Sequence, residues 1–277
     1  MTGFMKTLAR IVLFTISVAL IYGFLEFLAA GVPGVESTAA RQILIPWLLL
    51  ISVLLPTVAF VRFDSLPWSE LCLDRAAASP KLLAKGLAFG ALSIGVASAF
   101  LLALGELKIR PTASGNWWRA AATSLLILLP AGFVEELFIR GYLFAALRRL
   151  GGWKLALIVT SFVFGLIHAW NPGADAESIL AVTVAGFFLG AILLATRSLY
   201  AAGTAHFAWN WIMAGALHTP VSGISSPVVD YETIDAGPDW LTGGQWGPEG
   251  GLAAVIAMFL VVFYLYGRYL HRMEWTS

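Results

Sequence analysis

The sequence predicts an all-α fold, a polytopic membrane helix bundle of about eight transmembrane helices with both termini cytoplasmic. Three observations carry this expectation. Of the 277 residues, 59% are hydrophobic and 12% charged, about half the roughly 25% charged share of a soluble domain. The mean hydropathy is +0.84, and it comes from long continuous apolar runs, whereas a spanning β-barrel shows short alternating segments. Basic residues also segregate to one set of connections, as they do on the cytoplasmic side of membrane proteins.

The first apolar run, 8–30, follows Lys6 and Arg10. It is too long for a signal-peptide core and has no clear cleavage site, so it reads as an uncleaved first span. Further runs of spanning length lie at 42–61, 82–104, 120–147, 153–170, 178–196, 199–217 and 251–270. With the N-terminus inside, Lys6, Arg10, Arg62, Arg75, Lys81, Lys85, Arg140, Arg148, Arg149, Lys154, Arg197, Arg268 and Arg272 fall on the inner segments. Of the 17 basic residues, only Arg41, Lys108, Arg110 and Arg119 fall outside. The 218–250 segment has no Lys or Arg and is rich in Gly, Pro, Asp and Glu. It is expected to be a long, solvated outer loop, with a lid over the bundle as the less favoured reading. Trp117, Trp118, Trp153, Trp170 and Trp275 sit near predicted span ends, where indole rings anchor in the headgroup region. The whole chain, 1–277, is read as a single transmembrane domain with membrane lipid as its surroundings.

Other classes are disfavoured by the same sequence. A net charge of +1 and the lack of a basic cluster give no footprint for nucleic acid. Cys72 is the single cysteine, which leaves no intrachain disulfide and no CxxC pair. No internal repeat is evident, which weighs against an inverted-repeat transporter.

Charged side chains inside spans are costly and usually functional. The fourth span holds Glu135, Glu136 and Arg140 within apolar sequence. Glu136 and Arg140 are four apart and can pair on one helix face. Glu135, turned about 100° from its neighbour, has no partner on its own helix. The fifth span carries Phe164 and His168. Glu135 lies as far before the Gly151–Gly152 turn as His168 lies after it, so an antiparallel hairpin brings them to similar depth. The seventh span carries His206 and Asn210, again four apart on one face. Each would be costly to bury without a partner, so these groups are expected to meet in one polar interior site. His218 and His271 fall at the aqueous ends of spans. Glu26 is a weaker candidate near the outer end of the first span.

These residues resemble three motifs of the CAAX-protease and bacteriocin-processing family of intramembrane endopeptidases, often called the Abi family. The motifs are Glu-Glu-x-x-x-Arg at Glu135, Glu136 and Arg140, Phe-x-x-x-His at Phe164 and His168, and His-x-x-x-Asn at His206 and Asn210. They occur in the expected order within a catalytic core at 120–217. The resemblance implies endoproteolysis in or near the membrane, on a membrane-associated or lipid-modified protein or peptide. It places catalysis on Glu135, His168, His206 and Asn210, with Glu136, Arg140 and Phe164 in support.

No Gly-x-Ser-x-Gly nucleophile motif is present, so water activated by Glu135 with help from His168 is the expected nucleophile. His206 and Asn210 are then the expected oxyanion donors. Zinc or another divalent metal remains open as a cofactor, held by His168, His206 and Glu135, although no His-Glu-x-x-His signature occurs. A non-proteolytic scaffold or immunity protein of the same family, a proton-coupled transporter and haem ligation by two histidines are the competing readings. The expected location is the plasma (inner) membrane, as a multi-pass protein.

Overall fold

The computed structural model describes residues 3–32, 34–35, 37–112, 115–225 and 231–270. Its helices are α1 (Gly3–Ala30), α2 (Thr38–Phe63), α3 (Pro80–Leu104), α4 (Trp117–Leu137), α5 (Leu143–Ile167), α6 (Ala176–Thr196), α7 (Leu199–Trp211), the single turn α8 (Asp239–Thr242) and α9 (Leu252–Arg268). Two short strands, β1 (Leu107–Pro111) and β2 (Tyr231–Asp235), accompany them. Among the described residues, five helical stretches are long and apolar enough to cross a membrane: Gly3–Ala30, Ala39–Phe63, Pro80–Leu104, Trp117–Trp170 and Ala176–Thr196. The protein is therefore a mostly helical, multi-pass membrane protein. Its surface chemistry agrees: Leu20, Phe27, Val96 and Phe263 are 63% to 77% exposed, while Glu136 and Arg140 are at most 1% exposed. Apolar side chains facing outward and charges facing inward suit a lipid solvent.

Two of the expected spans occur as one folded-back stretch. α4 passes through a π-helical turn at Phe138–Tyr142 into α5, and α5 leaves helical geometry at Gly151 (φ −149, ψ 22) and Gly152 (φ 78, ψ 176). Only glycine adopts the second of these conformations without strain, so the chain reverses there. The expected 199–217 span is helical throughout, and the expected 251–270 span is helical over Leu252–Arg268. α7 has 13 residues before it loosens into a π turn at Ile212–Leu217, and α9 has 17. His271, Arg272 and Trp275 lie outside the described residues.

Helix ends are set by local chemistry. The Ser37, Asn116 and Ser198 side chains accept from the first-turn amides of α2, α4 and α7, which satisfies donors that have no intrahelical partner. α6 starts on a reciprocal Asp175–Ser178 capping box. The Ser178 amide, together with its hydroxyl, holds the Asp175 carboxyl below its ordinary range.

α3 and α7 pack with almost no side chain between them. A methyl group built at Gly90 would strike the Ala205 backbone, with Ala205 C at 2.7 Å and Cα at 2.9 Å, and one at Gly86 would strike Ala201. This approach matters to function because Ala205 precedes His206. Gly95 lies on the same helix with nothing within 4 Å of an added methyl. Gly95→Ala is expected to be neutral or to stabilise, because alanine is the better helix former by up to ~1 kcal/mol. Gly90→Ala is expected to lose about 1–3 kcal/mol through forced separation of the two helices. Thermal unfolding in detergent distinguishes the two, and equal Tm values would contradict this packing.

The ends that the basic-residue distribution assigns to one side meet on one side. Arg10 pairs with Asp64 at 2.8 Å, Tyr142 donates to Asp64 at 2.6 Å, and Arg148 pairs with Glu70. The Leu199 amide donates to the Cys72 carbonyl at 3.0 Å. At the opposite end Arg41 pairs with Glu26 at 2.5 Å, and Tyr22 donates to the same carboxylate. Glu26 is thus engaged away from the interior cluster.

The 218–250 segment departs from the expected solvated loop. β2 pairs antiparallel with β1, setting Arg110 opposite Glu232 and Leu107 opposite Asp235. Thr242, Trp246 and Glu249 are at most 7% exposed. The bases of the 106–112 connection meet an acidic partner strand, and closely approaching glycines let the segment pack down. A methyl built at Gly247 or Gly223 would strike the Pro220 or the Pro172 carbonyl.

Candidate active site

α4 delivers the two glutamates five and six residues after Pro130. Proline has no N–H, so the carbonyl four residues earlier loses its helical donor. Here that carbonyl, Leu126, accepts instead from Trp47 Nε1 of α2 at 3.1 Å. The irregularity that Pro130 introduces thus becomes an interhelical tie, as a membrane interior requires.

Glu136 and Arg140 form a fully buried ion pair. Arg140 Nη1 donates to both carboxylate oxygens, at 2.7 and 2.8 Å, and Nη2 donates to the Gly186 carbonyl of α6 at 2.8 Å. The guanidinium carbon lies 4.9 Å from the centre of the Phe164 ring, a cation–π distance. Phe164 also touches both imidazoles, with ring centres 4.8 Å from His168 and 5.8 Å from His206.

Hydrogen bonds fix the two histidines in defined tautomers. His168 Nδ1 lies 2.7 Å from the Phe164 carbonyl. A carbonyl only accepts, so Nδ1 carries the proton and Nε2 presents a lone pair when the ring is neutral. His206 Nδ1 lies 3.1 Å from Glu136 Oε1 and likewise donates. Both Nε2 atoms face Glu135 Oε2, at 3.7 Å for His168 and 3.9 Å for His206. These separations exceed a direct hydrogen bond and are of the kind a water bridges. Among the described residues Glu135 Oε2 is buried without a hydrogen-bond partner, although the Glu135 side chain as a whole is 31% exposed. On the neighbouring side, Phe164, His168, His206 and Asn210 line one small cavity of about 20 Å³, enough for one water molecule.

The structure therefore gathers the groups that the sequence singles out from three separate helical stretches. Cys72 stays apart from them, and burial pushes its thiol up to about 11, so it stays protonated and poorly nucleophilic at neutral pH. His218 caps the π turn after α7 and stacks edge-on against Tyr231 at 4.8 Å, outside the cluster. Among the described residues no three His, Cys, Asp or Glu side chains are grouped to hold a metal ion. One wall residue escaped the sequence reading. Glu249, from the 218–250 segment, lines the same cavity as His168, His206 and Asn210. Nothing in its Gly-Pro-Glu-Gly surroundings marks it out from the other acids of that segment.

Fold and site together define a multi-pass membrane protein with a carboxylate–imidazole cluster in its interior. Residues 116–212, about a third of the chain, match the Rce1-like family model, described as type II CAAX prenyl endopeptidase Rce1-like. The matched stretch contains all seven motif residues from Glu135 to Asn210. Neither a curated protein nor a solved structure matches the chain.

Proposed function

We propose that this protein is an intramembrane endopeptidase that hydrolyses a peptide bond of a membrane-associated or lipid-modified protein, using water activated by Glu135. The observation that carries this reading is the buried, unbonded Glu135 Oε2 facing two imidazole nitrogens at 3.7 and 3.9 Å. A water there can donate one proton to Glu135 and the other to His168 Nε2, leaving its lone pair free for a carbonyl carbon. Attack transfers a proton to Glu135 and forms a tetrahedral oxyanion. Asn210 Nδ2 and His206 Nε2 are the donors assigned to it. His206 donates from Nε2 only when both of its nitrogens are protonated, and Glu136 on the far side of the ring accepts the Nδ1 proton. Collapse of the intermediate breaks the C–N bond, and Glu135 returns its proton to the leaving amine. Glu136 and Arg140 hold His206 and the fourth helical stretch in register.

The cavity of about 20 Å³ beside Phe164, His168, His206 and Asn210 admits water but no peptide. The basic end of the bundle is assigned to the cytoplasmic face of the plasma (inner) membrane. The test compares membrane proteins and released peptides from cells carrying the parent or Glu135→Gln. Fragments found only with the parent supply the substrate and the cleaved bond. Indistinguishable peptide pools would end the proteolytic reading.

A further inference from the structure

Glu249 is a buried carboxylate that the proposed chemistry does not use. It is 7% exposed and accepts three hydrogen bonds. Trp209 Nε1 of α7 donates to Oε2 at 2.9 Å, and the Ser222 amide and hydroxyl both donate to Oε1 at 2.7 Å. Trp209 lies between His206 and Asn210 in sequence. Ser222 is the first central residue of a tight reverse turn closed by mutual hydrogen bonds of Val221 and Ile224, each 2.9 Å. Both central residues have positive φ, 48° at Ser222 and 78° at Gly223, as a type I′ turn demands. Serine in this region is strained, so something outside the turn must hold it.

The turn is also gripped from its other side. Asn171 Nδ2, three residues after His168, donates to the Ser222 carbonyl at 3.1 Å, and the Gly223 amide donates to the Trp246 carbonyl at 3.0 Å. Ser222 and Glu249 lie in the wall of the cavity that His168, His206 and Asn210 share.

We propose that Glu249 is a positioning residue: it latches the Ser222–Gly223 turn to Trp209 and so fixes the outer wall of the reaction cavity and the helix face that presents Asn210. It acts through these groups and touches no reacting atom. The kinetic part of this inference rests on the proteolytic reading above.

Glu249→Gln tests the latch at nearly constant shape, because an amide nitrogen cannot accept and one of the three donors is left unmatched. The full chain is placed in phosphatidylcholine nanodiscs, and backbone amide exchange over 219–225 is followed beside cleavage of a farnesylated CAAX peptide. We expect exchange in that turn to quicken about tenfold or more, and kcat to fall about tenfold with KM within about twofold, the scale of one lost hydrogen bond to a charged acceptor. Trp209→Phe removes one donor, so the double variant Trp209→Phe/Glu249→Gln should be no slower than Glu249→Gln alone, a non-additivity reserved for coupled residues. Unchanged exchange overturns the latch. Faster exchange with parental kcat reduces Glu249 to a structural tie and overturns its positioning role, as does full additivity of the two substitutions. If the parent cleaves no CAAX peptide, the failure belongs to the proteolytic reading, and amide exchange alone still decides the latch.

Discussion

Glu135→Gln is expected to fold like the parent and to hydrolyse peptide at least ~100-fold more slowly, the usual contribution of a positioned general base. The two halves of that expectation have separate origins. Among the described residues Glu135 makes no hydrogen bond through Oε2, and its charged neighbours are the two imidazoles at 3.7 and 3.9 Å, so an isosteric amide breaks no hydrogen bond of Oε2. An amide can still face the two imidazoles, but it cannot take the proton that a water must lose as it attacks. Single-turnover cleavage in detergent measures the chemical step, and thermal unfolding of the same sample shows whether the fold survived. A variant that cleaves at the parental rate would transfer the base to another group and leave the orphaned carboxylate without a role.

The second large effect is expected at Arg140. Arg140→Met removes the guanidinium bonded to Glu136, a carboxylate with no exposed surface, and among the described residues leaves it with His206 Nδ1. Breaking a buried pair from one side costs about 3–5 kcal/mol, because the remaining charge stays desolvated. The Gly186 carbonyl loses its donor at the same stroke. Replacing both charges, as in Glu136→Gln/Arg140→Met, should recover most of the lost stability, since no net charge is then trapped. Activity should not return to the parental level, because a neutral amide is a weaker acceptor for the His206 Nδ1 proton than the carboxylate it replaces. Thermal or denaturant unfolding of the three proteins gives the comparison. A single variant as stable as the parent would show that the pair contributes little, and a double variant less stable than the single would invert the assignment.

How much of this was legible in the sequence depends on whether the deciding physics is local. The pairing of Glu136 with Arg140 follows from helix geometry, and it is observed. The approach of Glu135 to His168 follows from equal spacing about Gly151 and Gly152, because a hairpin of continuous helices converts sequence distance into depth. The role of Gly90 could not be read the same way. Its meaning lies in Ala205, more than a hundred residues away, and no pattern within α3 separates it from Gly95. The 218–250 segment misled for a related reason. Its Gly, Pro, Asp and Glu content is that of a solvated connection, yet its order comes from pairing with 107–111 and from glycines that close against Pro172, Pro220 and Leu241. Neither strand alone carries a strong alternating pattern, and Glu249 became visible only once the segment was folded over the cavity. The end of the seventh helical stretch was legible too, since helical geometry runs through Ile212–Leu217 and stops at His218, but its change to π geometry at Ile212 has no hydropathy signal.

The pairing of β1 with β2 also bears on the order in which a ribosome makes the molecule. Residues 107–111 emerge before any of the three motifs, whereas 231–235 follow all of them. A chain released before residue 231 therefore holds every motif residue but lacks the strand that pairs with β1. Such a chain also lacks Glu249, so this part of the cavity wall is supplied only by the last stretch of the message.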